Sequence, residues 1–199
     1  GQHAVEAALA NTNREILRCV ATENAARRVG LSQAETLDPK ALDKLLPPGA
    51  VHQGLAVRVK PLEAASLDDV LARPELPRRL CVLDQISDPH NLGAIFRSAA
   101  AFGVDGLILQ TRHIDQLGEA GYHTVGLAGE GAETISAAVH GASRVAFVMG
   151  AEGSGLRPAV AKACATLARI PMTPGMESLN VSNAAAIAFY EAMRQETGA

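Results

Sequence analysis

The stretch that decides the fold is Leu80–Gln110, which reads LCVLDQISDPHNLGAIFRSAAAFGVDGLILQ. A short apolar run is followed by a polar loop, by a run with helical periodicity from Leu92 to Phe102, and by a second apolar run from Val104. Gly103 stands where a glycine commonly ends a helix. A strand–helix–strand unit of this kind implies a parallel sheet with a right-handed crossover. The predicted fold class is therefore α/β.

Further elements follow the same alternation on both sides of that unit. Pro74 and Pro77 disfavour a continued helix and mark a linker, so we predict two domains, 1–73 and 78–199. The elements ahead of the linker are short, which is typical of a small α/β module. The predicted helices are His3–Ala10, Thr22–Val29, Pro39–Leu46 and Ala184–Arg194, and the further predicted strands are Glu15–Val20, Leu55–Val59, Tyr122–Leu127, Arg144–Met149 and Leu167–Met172.

Composition excludes several classes of protein. The net charge of −3 argues against a protein that binds any polyanion regardless of sequence, although a local basic patch on an RNA enzyme stays open. No apolar run approaches the roughly 20 residues of a membrane span, and the N-terminus has no basic segment followed by an apolar one. Cys19, Cys81 and Cys164 lack CxxC spacing, and the histidines are scattered. We therefore expect buried thiols in a reducing cytoplasm and no metal site.

Three polar loops each close a predicted strand and open a helix: Leu83–Gly103, Phe147–Leu156 and Ile170–Gln195. In an open α/β sheet, ligands bind at the carboxyl ends of the strands. Loops that converge on that edge would build one site.

The first loop carries Asn91, a plausible N-cap, and Arg97, which has only small residues one helical turn away on its own face. Arg97 is either a solvated surface cation or a cation with room beside it for an anionic ligand such as phosphate. His90 is more typical of a structural hydrogen-bonding residue than of a catalytic base.

The second loop, GAEGSG at Gly150–Gly155, is not a dinucleotide fingerprint, because its spacing is GxxGxG and Glu152 puts a carboxylate where a phosphate would lie. No GxxxxGK[ST] sequence is present either. Glu152 suits a neutral or cationic ligand or could orient an arginine, and the loop could also be only a tight turn.

The third loop offers Ser178, Asn180 and Ser182 ahead of a strongly helical run, and one of them must cap that helix. Within the helix, an apolar stripe at Ala186, Ile187, Tyr190 and Met193 indicates packing or a subunit contact rather than a cofactor box.

Taken together, NxGxxxR at Asn91–Arg97, GxEGxG at Gly150–Gly155 and SLNVS at Ser178–Ser182 resemble the three ordered motifs of the SpoU family, the TrmH-type RNA 2′-O-methyltransferases. GQHAVEAAL at the N-terminus and AVHQGLAVRVKP at Ala50–Pro61 resemble the small RNA-binding domain of the branch that methylates a guanosine in 23S ribosomal RNA.

The resemblance implies S-adenosylmethionine bound in a trefoil-knotted α/β methyltransferase domain, which usually forms a homodimer and is preceded here by the small RNA-binding domain. It requires no metal and favours ribosomal RNA over transfer RNA as the partner. The positions that match the family's cofactor-binding residues are Gly150, Ile170, Met172 and Leu179. The positions that match its reaction centre are Asn91, Arg97, Glu152, Ser178 and Asn180.

One departure from the family follows His113, where relatives usually continue with a further helix and strand. Here the chain passes directly to Ile114. Because removing a helix and a strand should disrupt a knotted sheet, we expect the protein to contain residues there that this sequence lacks, rather than to have lost the element.

The proposed chemistry needs a group that removes the ribose 2′-OH proton. Arginine keeps its proton, since its pKa lies above about 12. We therefore expect Arg97 to clamp the phosphate beside the target ribose, with the proton leaving through phosphate, water or a polar neighbour. A transfer-RNA methyltransferase, a catalytically silent RNA-binding or ribosome-assembly factor and a base-methylating enzyme remain as alternatives.

Overall fold

The computed structural model describes residues 1–109, 113–176 and 178–197. The chain divides into two compact units, Gly1–Ala64 and Ala65–Ala199. This division lies ahead of the predicted boundary after residue 73. The reason is a short helix at Leu67–Leu71, whose Leu67 and Leu71 pack against an apolar cluster of the second unit.

The first unit is a three-stranded sheet with three helices. The central strand β1 pairs parallel with β2 and antiparallel with β3, in the order β2-β1-β3. Val5, Ala21, Ala25 and Leu55 form its small core. The elements are α1 (Gln2–Ala10), β1 (Ile16–Ala21), α2 (Glu23–Val29), β2 (Glu35–Thr36), α3 (Pro39–Asp43) and β3 (Leu55–Val59). The α3 helix ends three residues before the predicted Leu46, which directly precedes two prolines and is thereby disfavoured in a helix.

The second unit is a six-stranded sheet in which every pair of neighbouring strands is parallel, in the order β5-β4-β8-β6-β9-β7. The predicted parallel α/β class is confirmed. The elements are α4 (Leu67–Leu71), β4 (Arg79–Leu83), α5 (Pro89–Ala101), β5 (Gly106–Ile108), α6 (Ile114–Glu119), β6 (His123–Leu127), β7 (Glu133–Thr134), α7 (Ile135–Val139), β8 (Val145–Met149), α8 (Pro158–Ala163), β9 (Thr166–Arg169) and α9 (Val181–Thr197).

Two elements differ from their predicted bounds for local reasons. Strand β9 ends at Arg169 instead of Met172, since Pro171 has no N–H to donate to a sheet. Helix α9 begins at Val181, ahead of the predicted Ala184, because Asn180 caps it. The end of the strand predicted after Val104 falls on residue 110, outside the described residues.

Apolar clusters cover both faces of this sheet. Strand β8 runs through the middle with all five residues buried. On one face Phe147 of β8 packs against Phe189 of α9, with ring centroids 5.7 Å apart. On the other face α6 and α8 contribute Leu117 and Val160. Burying each large apolar side chain stabilises the fold by about 1.5–3 kcal/mol. The sheet is therefore a firm platform for the loops at its ends.

Of the three cysteines, which are free thiols, Cys81 is buried as predicted, whereas Cys19 and Cys164 are half-buried. Burial raises the pKa of Cys81 and raises that of Cys164 to about 11, so neither is a reactive thiolate at neutral pH. Within the described ranges, no helix is long and apolar enough to cross a membrane. Nor do the described side chains include a group of three or more His, Cys, Asp or Glu that could hold a metal ion.

An ion pair near the end of α9 predicts a pH-dependent stability. The hydrogen bond from Arg194, 2.7 Å away, lowers the pKa of Glu191 to about 2. A carboxyl with a lowered folded-state pKa stabilises the fold above its ordinary value of about 4.3 and stops doing so as the pH falls towards its folded value. In urea unfolding, the stability lost in Glu191→Gln should therefore be largest near neutral pH and shrink between about pH 5 and pH 3. A loss that is constant across this range would contradict the prediction.

Candidate cofactor and catalytic site

The predicted loops meet at the carboxyl edge of the parallel sheet. Leu83 at the end of β4 pairs with Met149 at the end of β8. The next residue, Asp84, donates its backbone N–H to the Met149 carbonyl at 2.8 Å. Strand β9 ends at the same edge, and the loop after it leads to α9. Side chains from all three loops therefore lie within hydrogen-bonding distance of one another.

Asn180 is the centre of that contact. Its Nδ2 donates to Oδ1 of Asn91 at 3.0 Å and also to Oε1 of Glu152. Its Oδ1 accepts from the backbone N and the Oγ of Ser182, at 2.9 and 2.5 Å. A side-chain amide has two N–H donors and one oxygen with two lone pairs, so these four bonds use its full capacity. Asn180 thus holds Glu152 and Asn91 in place and has no hydrogen bond left to offer a substrate.

Asn91 is not the N-cap of α5, so that prediction was wrong. The helix begins at Pro89, and the cap is Asp88, whose Oδ1 accepts from the backbone N of His90 at 3.0 Å. Aspartate is as good a cap as asparagine, and proline is favoured at the first helical position. Asn91 is instead only 7% exposed inside the first turn, where its Oδ1 is free to receive the Asn180 amide.

Asn180 also caps α9. It immediately precedes Val181, and its Oδ1 accepts from the N–H of Ser182, which satisfies an amide at the helix start. The prediction that one polar residue of the third loop caps this helix is confirmed.

The remaining residues assigned to the reaction centre are exposed. Arg97 lies on α5 and makes no hydrogen bond or ion pair with any residue of the described ranges. Ser178 is exposed in the third loop and lines the cavity described next. His90 is exposed and does not line that cavity. The structure thus joins Asn91, Glu152 and Asn180 in a fixed polar network, whereas Arg97 lies further along the helix that carries Asn91.

A cavity of about 570 Å³ opens beside the network. Every position assigned to the cofactor lines it, as do three of the residues assigned to the reaction centre; they are Gly150, Ile170, Met172, Leu179, Glu152, Ser178 and Asn180. Asn91 and Arg97 do not. Seven of the nine predicted site residues therefore line one cavity, and Asn91 is joined to them through Asn180.

Gly150 is required by the shape of the second loop. The loop folds back on itself, so that Ala151 bridges Gly155 and the Gly155 N–H reaches the Ala151 carbonyl at 2.9 Å. A Cβ on residue 150 would overlap the backbone of Gly155 and Leu156. Only glycine fits there, and its backbone is left open to a ligand in the cavity.

Sequence reasoning missed the loop after β6. Leu127, Ala128, Gly129 and Glu130 also line the cavity, and Glu130 brings a second exposed carboxylate. The available signal was β6 itself, because a parallel strand predicted at 122–127 must end at the same edge as the others.

It also missed Asp84, a carboxylate only 1% exposed at the end of β4. Its oxygens accept three bonds from Arg157, which follows the second loop. One of the predicted alternatives for Glu152 was that its carboxylate orients an arginine. The structure pairs the arginine with Asp84, and Glu152 with Asn180.

The profile of the SpoU rRNA Methylase family matches residues 78–117 and 111–190. The chain belongs to the SpoU rRNA methylase family. The two matched segments overlap at residues 111–117, close to the departure that follows His113. That this SpoU protein contains a helix and a strand there, which the sequence lacks, stays a prediction.

Named relatives lie within the same SpoU family. The 23S rRNA (guanosine-2′-O-)-methyltransferase RlmB of Vibrio cholerae is 38% identical, over 86% of this chain and 81% of the relative. That of Shewanella oneidensis is 35% identical, over 98% of this chain and 96% of the relative. Its alignment runs over 240 positions against a chain of 199 residues, which confirms a gap in this chain.

The SpoU methyltransferase AviRb from Streptomyces viridochromogenes, in complex with the cofactor AdoMet, has the same fold. The two structures superpose with a TM-score of 0.76 at 20% identity, over 99% of this chain and 89% of AviRb. At this identity the likeness concerns the fold alone.

Proposed function

We propose that this SpoU protein transfers a methyl group from S-adenosylmethionine to the ribose 2′-OH of a guanosine in 23S ribosomal RNA. The observation that carries the proposal is a small-molecule cavity at the carboxyl edge of the sheet, with the fixed Asn91–Asn180–Glu152 network beside it. The two RlmB relatives are named for this reaction, and they align over most of the chain.

The cavity fits the cofactor. Its volume lies within the range of about 300–1,000 Å³ that is typical of small-molecule sites. Leu127, Leu156 and Ile170 give it apolar walls for an adenine ring, while Glu130 and Glu152 give it carboxylates suited to a ligand that carries positive charge. Gly150, Ile170, Met172 and Leu179 would hold the cofactor, which supplies an activated methyl group when bound.

The residues of this chain orient the ribose rather than donate chemistry of their own. Arg97 clamps the phosphate beside the target nucleotide, because a guanidinium presents paired donors that match two phosphate oxygens. Its proton stays in place, so the 2′-OH proton leaves through phosphate, water or a neighbouring polar group such as Ser178. Holding a nucleophile in line with its target contributes up to about 7–11 kcal/mol in favourable cases.

The deciding experiment uses the full chain with methyl-labelled S-adenosylmethionine and unmodified 23S ribosomal RNA, followed by digestion to nucleosides. Labelled 2′-O-methylguanosine is the expected product. A labelled base would show a base methyltransferase, and labelling of transfer RNA alone would show the other substrate class. Intact RNA binding without any labelled nucleoside would show a silent RNA-binding or assembly factor.

The Gly1–Ala64 unit serves as the RNA-binding domain. Lys40 and Lys44 are exposed one helical turn apart, and Arg58 is exposed on β3, which suits contacts with phosphates. Ultraviolet crosslinking to 23S ribosomal RNA should therefore recover peptides from residues 1–64. Crosslinks confined to the second unit would contradict this role.

Family membership supports two further proposals. The second unit contains a trefoil knot, and the protein acts in the cytoplasm, where ribosomal RNA is made. A crystal structure whose backbone contains no knot when its two ends are extended outward would exclude the first property. Recovery of the protein outside the cytoplasmic fraction of its cells would exclude the second property.

The protein forms a homodimer through the outer face of α5 and α9. Phe96 on α5 is 55% exposed, and Tyr190 and Ile187 on α9 are 46% and 38% exposed. The side of α9 that packs on the sheet is a different one, built on Ala188 and Phe189. Such an exposed apolar surface favours a protein partner.

We expect Phe96→Asp combined with Ile187→Asp to convert a dimer into a monomer in light scattering after size exclusion, because each carboxylate would be buried without a partner in the interface. Leu62→Asp, which changes an exposed leucine of the first unit, is the matched control and should leave the dimer intact. A wild-type protein that runs as a monomer at all concentrations would contradict the dimer.

A further inference from the structure

We infer that Asp84 and Arg157 form a positioning pair that sets the affinity for the cofactor by fixing the Arg157 end of the Gly150–Leu156 loop to the residue that follows β4. The inference rests on the proposed function, and neither residue belongs to the motifs that identified the site.

Asp84 contacts the residues on either side of that loop. Its backbone N–H donates to the carbonyl of Met149, the residue before Gly150, at 2.8 Å. Its carboxylate Oδ2 accepts from the backbone N of Arg157, the residue after Leu156, at 3.2 Å. The residue that follows β4 is thereby bonded on either side of the loop, through its backbone to Met149 and through its carboxylate to Arg157.

The side chain of Arg157 strengthens the second of these contacts. Its Nε donates to Asp84 Oδ1 at 2.8 Å, and its Nη2 lies 2.7 Å from the same oxygen. The hydrogen bond that Arg157 donates to Asp84 raises the pKa of Arg157, in keeping with a stable ion pair. The pair joins residues 73 positions apart, so it links the first motif loop to the second.

Burial makes the pair unusual. Asp84 is 1% exposed, whereas the side chain of Arg157 is 48% exposed. Among the described residues, Asp84 is the one buried carboxylate. Removing a carboxylate from water is expensive, and an apolar pair of similar size often stabilises a fold at least as well. A buried carboxylate at this point is therefore better explained by what it positions than by stability.

What it positions is one wall of the cavity. Gly150, Glu152 and Leu156 of the loop all line the cavity. Within the loop, the Ala151–Gly155 bridge fixes the fold-back but does not attach it to the rest of the sheet. With Asp84 in place, the backbone that meets the cofactor is ordered before binding. Without it, binding must supply the ordering free energy, and affinity falls.

The experiment measures S-adenosylmethionine affinity by isothermal titration calorimetry on the full-length protein without RNA. The variants are Asp84→Asn, Arg157→Gln and the double variant. We expect each single change to weaken binding by about tenfold or more, and the double variant to be no worse than the weaker single one, because the pair acts as a unit. Arg157→Lys should recover part of the loss, since lysine keeps the charge but its ammonium cannot reproduce the planar fork of donors.

Glu191→Gln is the matched control. It also removes a carboxylate from an arginine pair in the same unit, but that pair lies on α9 and lines no part of the cavity. It should lower the midpoint of thermal unfolding and leave the affinity unchanged. Arg157→Gln guards against a misfolded Asp84→Asn, because the half-exposed arginine side chain can be replaced without opening the core.

Two outcomes would overturn the inference, and they are distinguishable. If the variants unfold at lower temperature but bind with an affinity within about twofold of wild type, the pair is only structural, and the proposed function still stands. If the folded wild-type protein binds no S-adenosylmethionine, the proposed function fails and this inference fails with it.

Discussion

Gly150→Ala will reduce the affinity for S-adenosylmethionine by about 100-fold or more, which corresponds to about 2.8 kcal/mol. The added methyl group would overlap the backbone of Gly155 and Leu156, which cannot move away as a flexible side chain could. The loop must then open, and the backbone that lines the cavity shifts with it. Titration calorimetry on the folded variant measures the effect.

Gly118→Ala is the matched control for this change. Gly118 lies inside α6, where a Cβ would meet nothing within 4 Å. Alanine there should leave cofactor affinity unchanged and raise the free energy of unfolding by roughly 0.5–1 kcal/mol, because it is the better helix former. A Gly150→Ala protein that binds as tightly as wild type would show that the cofactor lies elsewhere.

Arg97→Ala will lower the turnover of ribosomal RNA by about 10²–10³-fold while leaving the affinity for S-adenosylmethionine unchanged. Arg97 lies outside the cavity and has no partner in the described ranges, so its loss removes no support from the cofactor site. What is lost is the phosphate clamp that aligns the ribose. Single-turnover methylation and calorimetry on the same preparation separate the two effects.

The Arg97→Lys variant decides whether the clamp is bidentate. Lysine keeps the charge but cannot present two parallel donors, so turnover should stay well below wild type. Arg73→Ala removes another exposed arginine of the same unit, beyond the end of α4, and should be close to neutral. Near-normal turnover of Arg97→Lys would reduce the role of Arg97 to simple charge attraction.

The parallel sheet and the meeting of the three loops were predictable because both follow from local pattern. The pattern of Leu80–Gln110 predicts a strand, a helix and a strand in order, and the crossover in such a unit is right-handed. The carboxyl-edge rule then places Glu152 and Asn180 on the same side. Their direct contact in the structure follows from that rule.

The features that could not be predicted depend either on competition between two residues of similar capping ability or on contacts between residues that are far apart in sequence. Asp88 and Asn91 are both good N-caps, and only the position of Pro89 in the folded helix decides between them. Asp84 reads as one more polar loop residue, because its partner Arg157 lies 73 positions away and no sequence period links them. Strand order is likewise a property of the packed sheet, so the placement of β8 at its centre had no signal in the chain.

The long separations within the site also bear on how the protein is made. Asn91 meets Asn180 across 89 residues, and β4 lies beside β8 although three strands and three helices intervene. Contacts of such high sequence separation slow folding, since the chain must close large loops before they form. Because Val181 and Ala184 of α9 line the cavity, the cavity is incomplete in a nascent chain whose α9 is still inside the ribosome. The cofactor therefore cannot act as a template for folding during synthesis, and it binds only a finished domain.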